Sequence, residues 1–145
     1  MTLDDDVFEA ARAQAQASGR EKAAHAELDP DAPFPIISRL ACALVEKSEF
    51  IQPTGRGRFA EWYGSPRREG FCCSFGLNPA CEELLNKTDL EVAARGARGE
   101  VRAVELRGHP FFIGTLFQPE RTALKGELHP IIAAFIRAAA GERSR

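Results

Sequence analysis

The sequence predicts one α/β domain over residues 1–145, with a mixed sheet and flanking helices. Segments near both ends of the chain repeat apolar residues at helical spacing. Between them, short runs are apolar or alternate between apolar and polar residues, as β-strands do. One run, 111–117, is almost wholly apolar, which is typical of a strand covered on both faces.

The segment 3–17, LDDDVFEAARAQAQA, predicts the first helix. Three aspartates at 4–6 suit the positive end of a helix dipole, and the alanines favour helix. Apolar residues four positions apart form a narrow stripe on this helix: Leu3, Val7, Ala11 and Ala15. The segment 27–35, ELDPDAPFP, carries three prolines and three acidic residues and predicts an extended loop.

The middle of the chain predicts short elements bounded by charged or turn residues. Three brief runs predict strands: 35–38, 41–45 and 49–52. The segment 55–64 predicts a loop that leads into one helical turn. A further strand is predicted at 70–78, followed at 79–87 by a short helix with proline in its first turn.

The region 90–117 predicts three successive strands. The first two are joined through GARGE at 96–100, whose two glycines predict a hairpin. The segment 129–143, HPIIAAFIRAAAGER, predicts the last helix, with Pro130 at its start. Its apolar face is formed by Ile131, Ile132, Phe135 and Ile136.

Composition excludes several classes of protein. The formal net charge of -2 argues against a protein built for broad nucleic-acid binding. No run approaches the roughly 20 apolar residues that a membrane helix needs. The N-terminus is acidic and lacks the basic, then apolar pattern of a secretory signal. We therefore expect a cytoplasmic protein that does not bind a membrane.

The four cysteines predict free thiols that are buried or half-buried. Cys72 and Cys73 are adjacent rather than spaced as C-x-x-C, and no histidine lies at zinc-ligand spacing from them. A metal site or a redox pair remains the weaker alternative. We expect no cofactor and no metal.

The apolar run 111–117 is followed by a polar end, Gln118-Pro119-Glu120. Open α/β sheets place ligands and catalytic groups at the carboxyl ends of buried strands, so these residues are candidate site residues. Gln118 donates and accepts hydrogen bonds but cannot take up a proton near neutral pH. An alternative is that Gln118 and Glu120 only hydrogen-bond to loops.

Three segments, in order, resemble one family. EVRAVELRGHPFFIGTLFQPE at 100–120 resembles the C-terminal part of the class I glutamine amidotransferase domain of CTP synthase. GLNPACEELL at 76–85 and AELDPDAPFPII at 26–37 resemble earlier segments of that domain, so the resemblance covers about 25–139. It implies a partial class I glutamine amidotransferase-like domain, of the flavodoxin-like type.

The resemblance also implies a chemistry. In that family a cysteine attacks the side-chain amide of glutamine, a histidine takes the thiol proton, and a glutamate two residues on orients the histidine. Glu120 matches the orienting glutamate, but Gln118 stands at the histidine position. Loss of the acid–base step alone costs about 10²- to 10⁴-fold in rate.

Two further departures concern the nucleophile and the substrate. No Gly-x-Cys-x-Gly elbow occurs in the chain, and the resemblance places that elbow just before residue 1. Cys72, Cys73 and Ser74 stand where the family has an arginine-rich segment that holds the glutamine carboxylate. We therefore expect a single, N-terminally truncated domain that does not hydrolyse glutamine. It is similar to the CTP synthase C-terminal-region-related branch.

Three hypotheses for function follow. The first is a degenerate, noncatalytic module that binds a small ligand or a partner. The second is the glutaminase part of a CTP-synthase-type enzyme, completed by a missing N-terminal segment. In the third, the stretch from Arg56 to Arg68, with its aromatic residues, binds phosphate or RNA.

Other expectations concern single residues and the sheet edge. Cys73 with a distant histidine is a weaker candidate nucleophile. His109 is expected in a turn, and His25 and His129 as structural or solvent-facing residues. Without the family's first strands, the run 111–117 should present an open edge, so we expect a homodimer, a complementing chain or poor solubility.

Overall fold

The computed structural model describes residues 23–32 and 34–141. The helix predicted for 3–17 lies outside these residues. In chain order the strands are β1 (Ala23–His25), β2 (Phe34–Arg39), β3 (Lys47–Pro53), β4 (Arg67–Phe71), β5 (Phe75–Leu77), β6 (Leu90–Arg95), β7 (Val101–Leu106) and β8 (Ile113–Thr115). The α-helices are α1 (Gly57–Tyr63), α2 (Glu82–Leu85) and α3 (Pro130–Ala139), and two 3₁₀ helices span Pro79–Cys81 and Pro119–Lys125.

These strands form two sheets. The smaller has the order β1-β2-β5, in which β1 and β2 are parallel and β2 and β5 are antiparallel. The larger has the order β4-β3-β6-β7-β8, and every pair in it is antiparallel. The predicted mixed arrangement of strands with flanking helices is thus observed.

Several predicted elements are confirmed. The last helix, α3, begins at Pro130, whose missing amide is tolerated in the first turn. The predicted hairpin joins β6 and β7, and its turn contains Gly99 at φ 89°. The predicted helical turn is α1, and the short helix after Asn78 begins as a 3₁₀ helix and continues as α2.

Two predicted strands are wrong in whole or in part. The segment 41–45 forms bends and a turn, with an isolated hydrogen bond from the Leu44 amide to the Cys73 carbonyl (2.8 Å). Its apolar content favours β structure, but a strand also needs a continuous partner. The segment predicted as one strand at 70–78 is interrupted at 72–74, because β4 belongs to the larger sheet and β5 to the smaller.

The apolar run 111–117 forms a strand only over β8. Its register pairs Ala103 with Thr115 and Glu105 with Ile113. Among the residues that the structure describes, β8 pairs with β7 alone, so it stands at the edge of the larger sheet. The predicted open edge is therefore present in this part of the chain. The predicted cover on both faces is partial, since Ile113 and Thr115 are half-buried.

The main core lies between the larger sheet and helices α1 and α3. Four fully buried side chains at its centre are Ile51, Phe59, Phe71 and Phe117, which pack with Tyr63 and Ile131. The rings of Phe59 and Tyr63 stack at a centroid distance of 4.9 Å. This core fixes the end of β8, since Phe117 directly precedes Gln118.

Helix α1 begins on a carboxylate from the sheet rather than on a capping residue of its own. Glu105 of β7 is 8% exposed and accepts the amides of Arg58 (3.0 Å) and Phe59 (2.9 Å). Gly57 has φ 70°, and a Cβ atom there would lie 2.3 Å from Oε2 of Glu105. The free backbone amides at the start of α1 therefore depend on a carboxylate that lies 46 positions beyond Phe59 in the chain.

Candidate functional site

A cavity of about 410 Å³ brings together residues that the sequence analysis singled out. Gln118 lines it from the end of β8, and Cys72 and Cys73 line it from the break between β4 and β5. Apolar side chains from both sheets complete much of the wall: Ile36, Ile37, Leu77, Val101, Val104 and Leu116. Cavities of this size and character hold small molecules.

Backbone hydrogen bonds fix the position of Gln118. Its amide donates to the Gly70 carbonyl of β4 (3.0 Å), and its carbonyl accepts the amide of Arg121 (3.1 Å). Pro119 directly follows and starts the 3₁₀ helix, where its lack of an amide costs nothing. Sheet, proline and 3₁₀ helix therefore place Gln118 in the wall of the cavity.

The Gln118 side chain is bound to an arginine. Its Oε1 accepts a hydrogen bond of 2.6 Å from Nε of Arg121, three residues on. The same guanidinium forms two hydrogen bonds to the Glu46 carboxylate, at 3.1 Å and 2.6 Å. A bidentate guanidinium–carboxylate pair holds its geometry better than a single contact does.

The backbone of Glu46 is held in an uncommon conformation. Its φ of 51° lies in the left-handed region, where non-glycine residues are rare, and it is the one such non-glycine residue in the described part of the chain. Arg121 lowers the pKa of the Glu46 carboxyl from its ordinary 4.5, by hydrogen bonding and by its charge. The Cys72 thiol beside Glu46 adds a smaller lowering of that pKa.

Replacing Arg121 by glutamine is expected to raise the pKa of Glu46 towards its ordinary value. Because the folded-state pKa is the lower one, the pair stabilises the fold above the unfolded pKa. That contribution is lost as the pH falls through the folded-state pKa. A ¹³C NMR titration of the Glu46 carboxyl measures the shift. Arg137→Gln, on the exposed face of α3, is the matched control, and an unchanged Glu46 pKa in R121Q contradicts the pairing.

Glu120 forms no hydrogen bond to Gln118, Arg121 or Glu46, although, in addition to the hydrogen bond with Glu46, its charge contributes to the raised pKa of Arg121. Its side chain is exposed and forms no hydrogen bond with residues 23–32 or 34–141. The carboxylate expected to orient its neighbour thus stands apart from Gln118, whose amide is bound to Arg121 instead.

The thiols near the cavity have partners other than histidine. Cys73 donates to the Phe75 carbonyl (2.8 Å), and its sulfur accepts the Phe75 amide (3.4 Å). His25 lines the same cavity, but its Nδ1 accepts the Glu27 amide (3.2 Å). No hydrogen bond joins Cys73 to a histidine within the described ranges. Cys42 and Cys72 are free and exposed, so the prediction of buried or half-buried thiols is wrong for these two.

Ser74, the third residue at the position of the family's arginine-rich segment, does not line the cavity among the described residues. Its carbonyl accepts the Leu40 amide at 2.8 Å. In the described residues, no group of three or more histidine, cysteine, aspartate or glutamate side chains could hold a metal ion.

No family model matches the chain, whereas curated relatives and a solved structure do. CTP synthase from Sulfurisphaera tokodaii is 30% identical over 137 residues, covering 85% of this chain and 25% of that protein. CTP synthase from Methanothermobacter thermautotrophicus is 29% identical over an aligned 147 residues, covering 90% of this chain and 26% of that protein. The chain is homologous to part of CTP synthase.

The fold agrees with this homology. The glutaminase domain of Trypanosoma brucei CTPS, solved with bound acivicin, superposes with a TM-score of 0.80 at 20% identity, covering 97% of this chain and 58% of that one. The predicted fold class, a class I glutamine amidotransferase-like α/β domain, is thereby confirmed. This CTP synthase homologue spans about a quarter of the length of its curated relatives.

Several residues of the stretch from Arg56 to Arg68 in the CTP synthase homologue make internal contacts. Phe59 and Tyr63 are 0% and 1% exposed, so their rings cannot stack on bases. Arg58 donates to the carbonyls of His109 and Pro110, the latter at 2.9 Å. Arg67 lies over the Tyr63 ring at 5.2 Å. Two of the aromatic rings that the RNA hypothesis uses are therefore core residues. The third, Trp62, is half-buried and stacks on Phe111 at 5.2 Å.

The CTP synthase homologue contains a buried polar network around Glu69 that the sequence did not predict. Oε1 of Glu69 accepts from the Tyr63 hydroxyl (2.8 Å) and lies 2.8 Å from Nε2 of His129. The Ile131 amide donates to Nδ1 of His129, so Nε2 carries the proton. Burial, followed by Glu69, raises the pKa of Tyr63. His129 was expected to be structural or solvent-facing, and at 1% exposure it is structural.

The positions of His109 and of the helices bear on two remaining predictions. His109 lies in the turn between β7 and β8, as predicted. No helix in the described residues is long and apolar enough to cross a membrane.

Proposed function

We propose that this chain is a degenerate glutamine amidotransferase-like module related to CTP synthase, which binds a small ligand or a partner and does not hydrolyse glutamine. The observation that carries the proposal is the contact of 2.6 Å between Arg121 and Oε1 of Gln118. At the position where the resemblance places the catalytic histidine, the side chain is a neutral amide whose acceptor is already bound. A glutamine amide cannot accept the proton of a thiol.

The surroundings of Gln118 support the same proposal. The Cys73 thiol donates to a backbone carbonyl, and the exposed Glu120 forms no hydrogen bond with Gln118. The cavity beside Gln118 is of a size that holds a small molecule. Binding without turnover is therefore the activity that these residues can perform. We place this module in the cytoplasm, in pyrimidine nucleotide metabolism.

An assay of ammonia released from L-glutamine tests the proposal. The wild-type chain and a variant with both Cys72→Ser and Cys73→Ser are incubated at equal concentration. We expect both to release ammonia at the rate of buffer alone. Release by the wild type that disappears in the double variant overturns the proposal, because a thiol of this chain would then be the nucleophile.

A second candidate is a glutaminase part of a CTP-synthase-type enzyme that is completed by another segment and supplies ammonia for making CTP from UTP. It is favoured by two observations. The chain aligns with only 25% of its relative from Sulfurisphaera tokodaii, and β8 has one neighbouring strand among the described residues. An unpaired strand edge is a surface on which a further strand can add.

The second candidate is tested by mixing. The chain and its Gln118→His variant are each combined with the N-terminal half of a CTP synthase glutaminase domain that carries the elbow cysteine. Glutamine-dependent ammonia from either mixture supports the candidate, and inert mixtures count against it. Sedimentation of the chain alone tests the same edge, since we propose a homodimer or a complementing chain there. A monodisperse monomer at high concentration contradicts the homodimer.

A further inference from the structure

The contact with Arg121 determines which polar atom of Gln118 remains available. A guanidinium only donates hydrogen bonds, so the atom that faces Nε of Arg121 must be the amide oxygen. The NH₂ group is then the free end of the side chain. It forms no hydrogen bond with the residues that the structure describes, and Gln118 lines the cavity.

Three features hold Arg121 in the position that this orientation requires. The Glu46 carboxylate binds the guanidinium through two hydrogen bonds, from a backbone with φ 51°. Gly70 leaves room for the side chain, since a Cβ atom there would lie 2.9 Å from Cδ of Arg121. The Arg121 amide is also bound to the Gln118 carbonyl. Arg121 is thus positioned by Glu46 and Gly70, which are distant in the sequence, and by Gln118, three residues before it.

The rest of the cavity wall specifies the body of the ligand. Ile37 and Leu77 come from the smaller sheet, whereas Val101 and Leu116 come from β7 and the end of β8. The hydroxyl of Thr115 is bound to the Phe117 carbonyl (2.8 Å), so its proton is not available to a ligand. Among the described residues the lining also includes His25, Glu27 and Arg102. Arg102 is bound to Glu49, and Nδ1 of His25 is bound to the Glu27 amide. The apolar part of the wall, together with the NH₂ donor of Gln118, fits a short aliphatic chain that carries an acceptor oxygen.

We propose that Gln118 presents its NH₂ group to the carbonyl or carboxylate oxygen of a small aliphatic ligand in this cavity, and that Arg121 is the residue that orients it. The inference rests on the proposed function as a binding module and names the class of ligand. Arg121 acts through Gln118 and is a positioning residue. Because the amide cannot turn round while Arg121 holds its oxygen, Gln118 has no acceptor for ligands that offer only a donor.

NMR titration of the ¹⁵N-labelled chain tests the proposal with three probes of one carbon skeleton: butyramide, butyrate and butylammonium. We expect butyramide, butyrate or both to shift the side-chain NH₂ signals of Gln118 in a saturable way. Butylammonium should bind at least about tenfold more weakly, or not at all. The two acceptor probes distinguish a neutral carbonyl from a carboxylate. Absence of any saturable shift at the Gln118 NH₂ overturns the proposal.

Two variants separate orientation from general stability. Arg121→Met should leave the amide spectrum of the core unchanged but bring the affinities for butyramide, butyrate and butylammonium within about threefold of each other. Arg137→Met removes an exposed cation from α3 and should keep the original selectivity. Selectivity that survives in R121M contradicts the role of Arg121. If R121M fails to fold, Gly70→Ala, which displaces the Arg121 side chain, must show the same loss of selectivity.

The ammonia assay keeps the two proposals apart. If the chain releases ammonia from glutamine yet shows this selectivity, the noncatalytic proposal is contradicted and the proposed orientation of Gln118 is supported. If the chain releases no ammonia and binds all three probes equally, the noncatalytic proposal is supported and the proposed orientation of Gln118 is contradicted.

Discussion

Replacing Glu105 by alanine is expected to lower the free energy of unfolding by about 2–4 kcal/mol. The substitution leaves the amides of Arg58 and Phe59 without their acceptor at the start of α1. Phe59 is fully buried, so water cannot replace the carboxylate at its amide without opening the core. Helix α1 also packs against α3, so the loss extends to the main core.

Urea unfolding followed by circular dichroism measures this loss. Glu91→Ala is the matched control, since Glu91 lies directly opposite Glu105 on β6 and pairs with Arg107 at 3.2 Å on a half-exposed surface. A surface pair of this kind contributes about 0–1 kcal/mol. Equal losses in E105A and E91A would show that Glu105 does not hold the start of α1.

Replacing Glu69 by alanine is expected to cost about 3–5 kcal/mol. Glu69 is 3% exposed, and its Oε1 is the acceptor for both the Tyr63 hydroxyl and Nε2 of His129. Without the carboxylate, two buried donors lose their partner at once. His129 also accepts the Ile131 amide at the start of α3, so the docking of that helix weakens as well.

The unfolding temperatures of E69A and Arg68→Ala compare the loss of stability at two neighbouring positions of one strand. Arg68 is the preceding residue of β4, is exposed, and lies over the Phe50 ring at 4.8 Å. We expect R68A to cost less than about 1 kcal/mol. A fall in the unfolding temperature of E69A that is no larger than that of R68A contradicts the structural role of the buried network.

The sequence predicted those elements whose pattern is local. Helix α3 repeats apolar residues at helical spacing after a proline, and the hairpin between β6 and β7 carries glycine in its turn. Both features depend on residues that are close together in the chain. The apolar run 111–117 predicted Gln118 at the end of a strand, and the structure ends that strand three residues earlier, at Thr115, with Gln118 directly before the 3₁₀ helix.

The errors and omissions depend on contacts between distant residues. The apolar run 41–45 carries the composition of a strand but meets no continuous strand partner. Arg121 and Glu46 are 75 positions apart, and Glu69 and His129 are 60 apart. No spacing rule connects such residues, because only the folded sheet brings them together.

One sample tests the central claim, that this chain does not hydrolyse glutamine, most directly. The ¹³C,¹⁵N-labelled chain is incubated with glutamine that carries ¹⁵N only in its side-chain amide. Spectra then follow the ligand's amide and the residues of the cavity together. We expect the ¹⁵N amide signal of the added glutamine to remain constant over days, whether or not glutamine shifts the Gln118 NH₂ signals. Conversion of that amide to ammonium, absent when Cys72 and Cys73 are both serine, would contradict the claim.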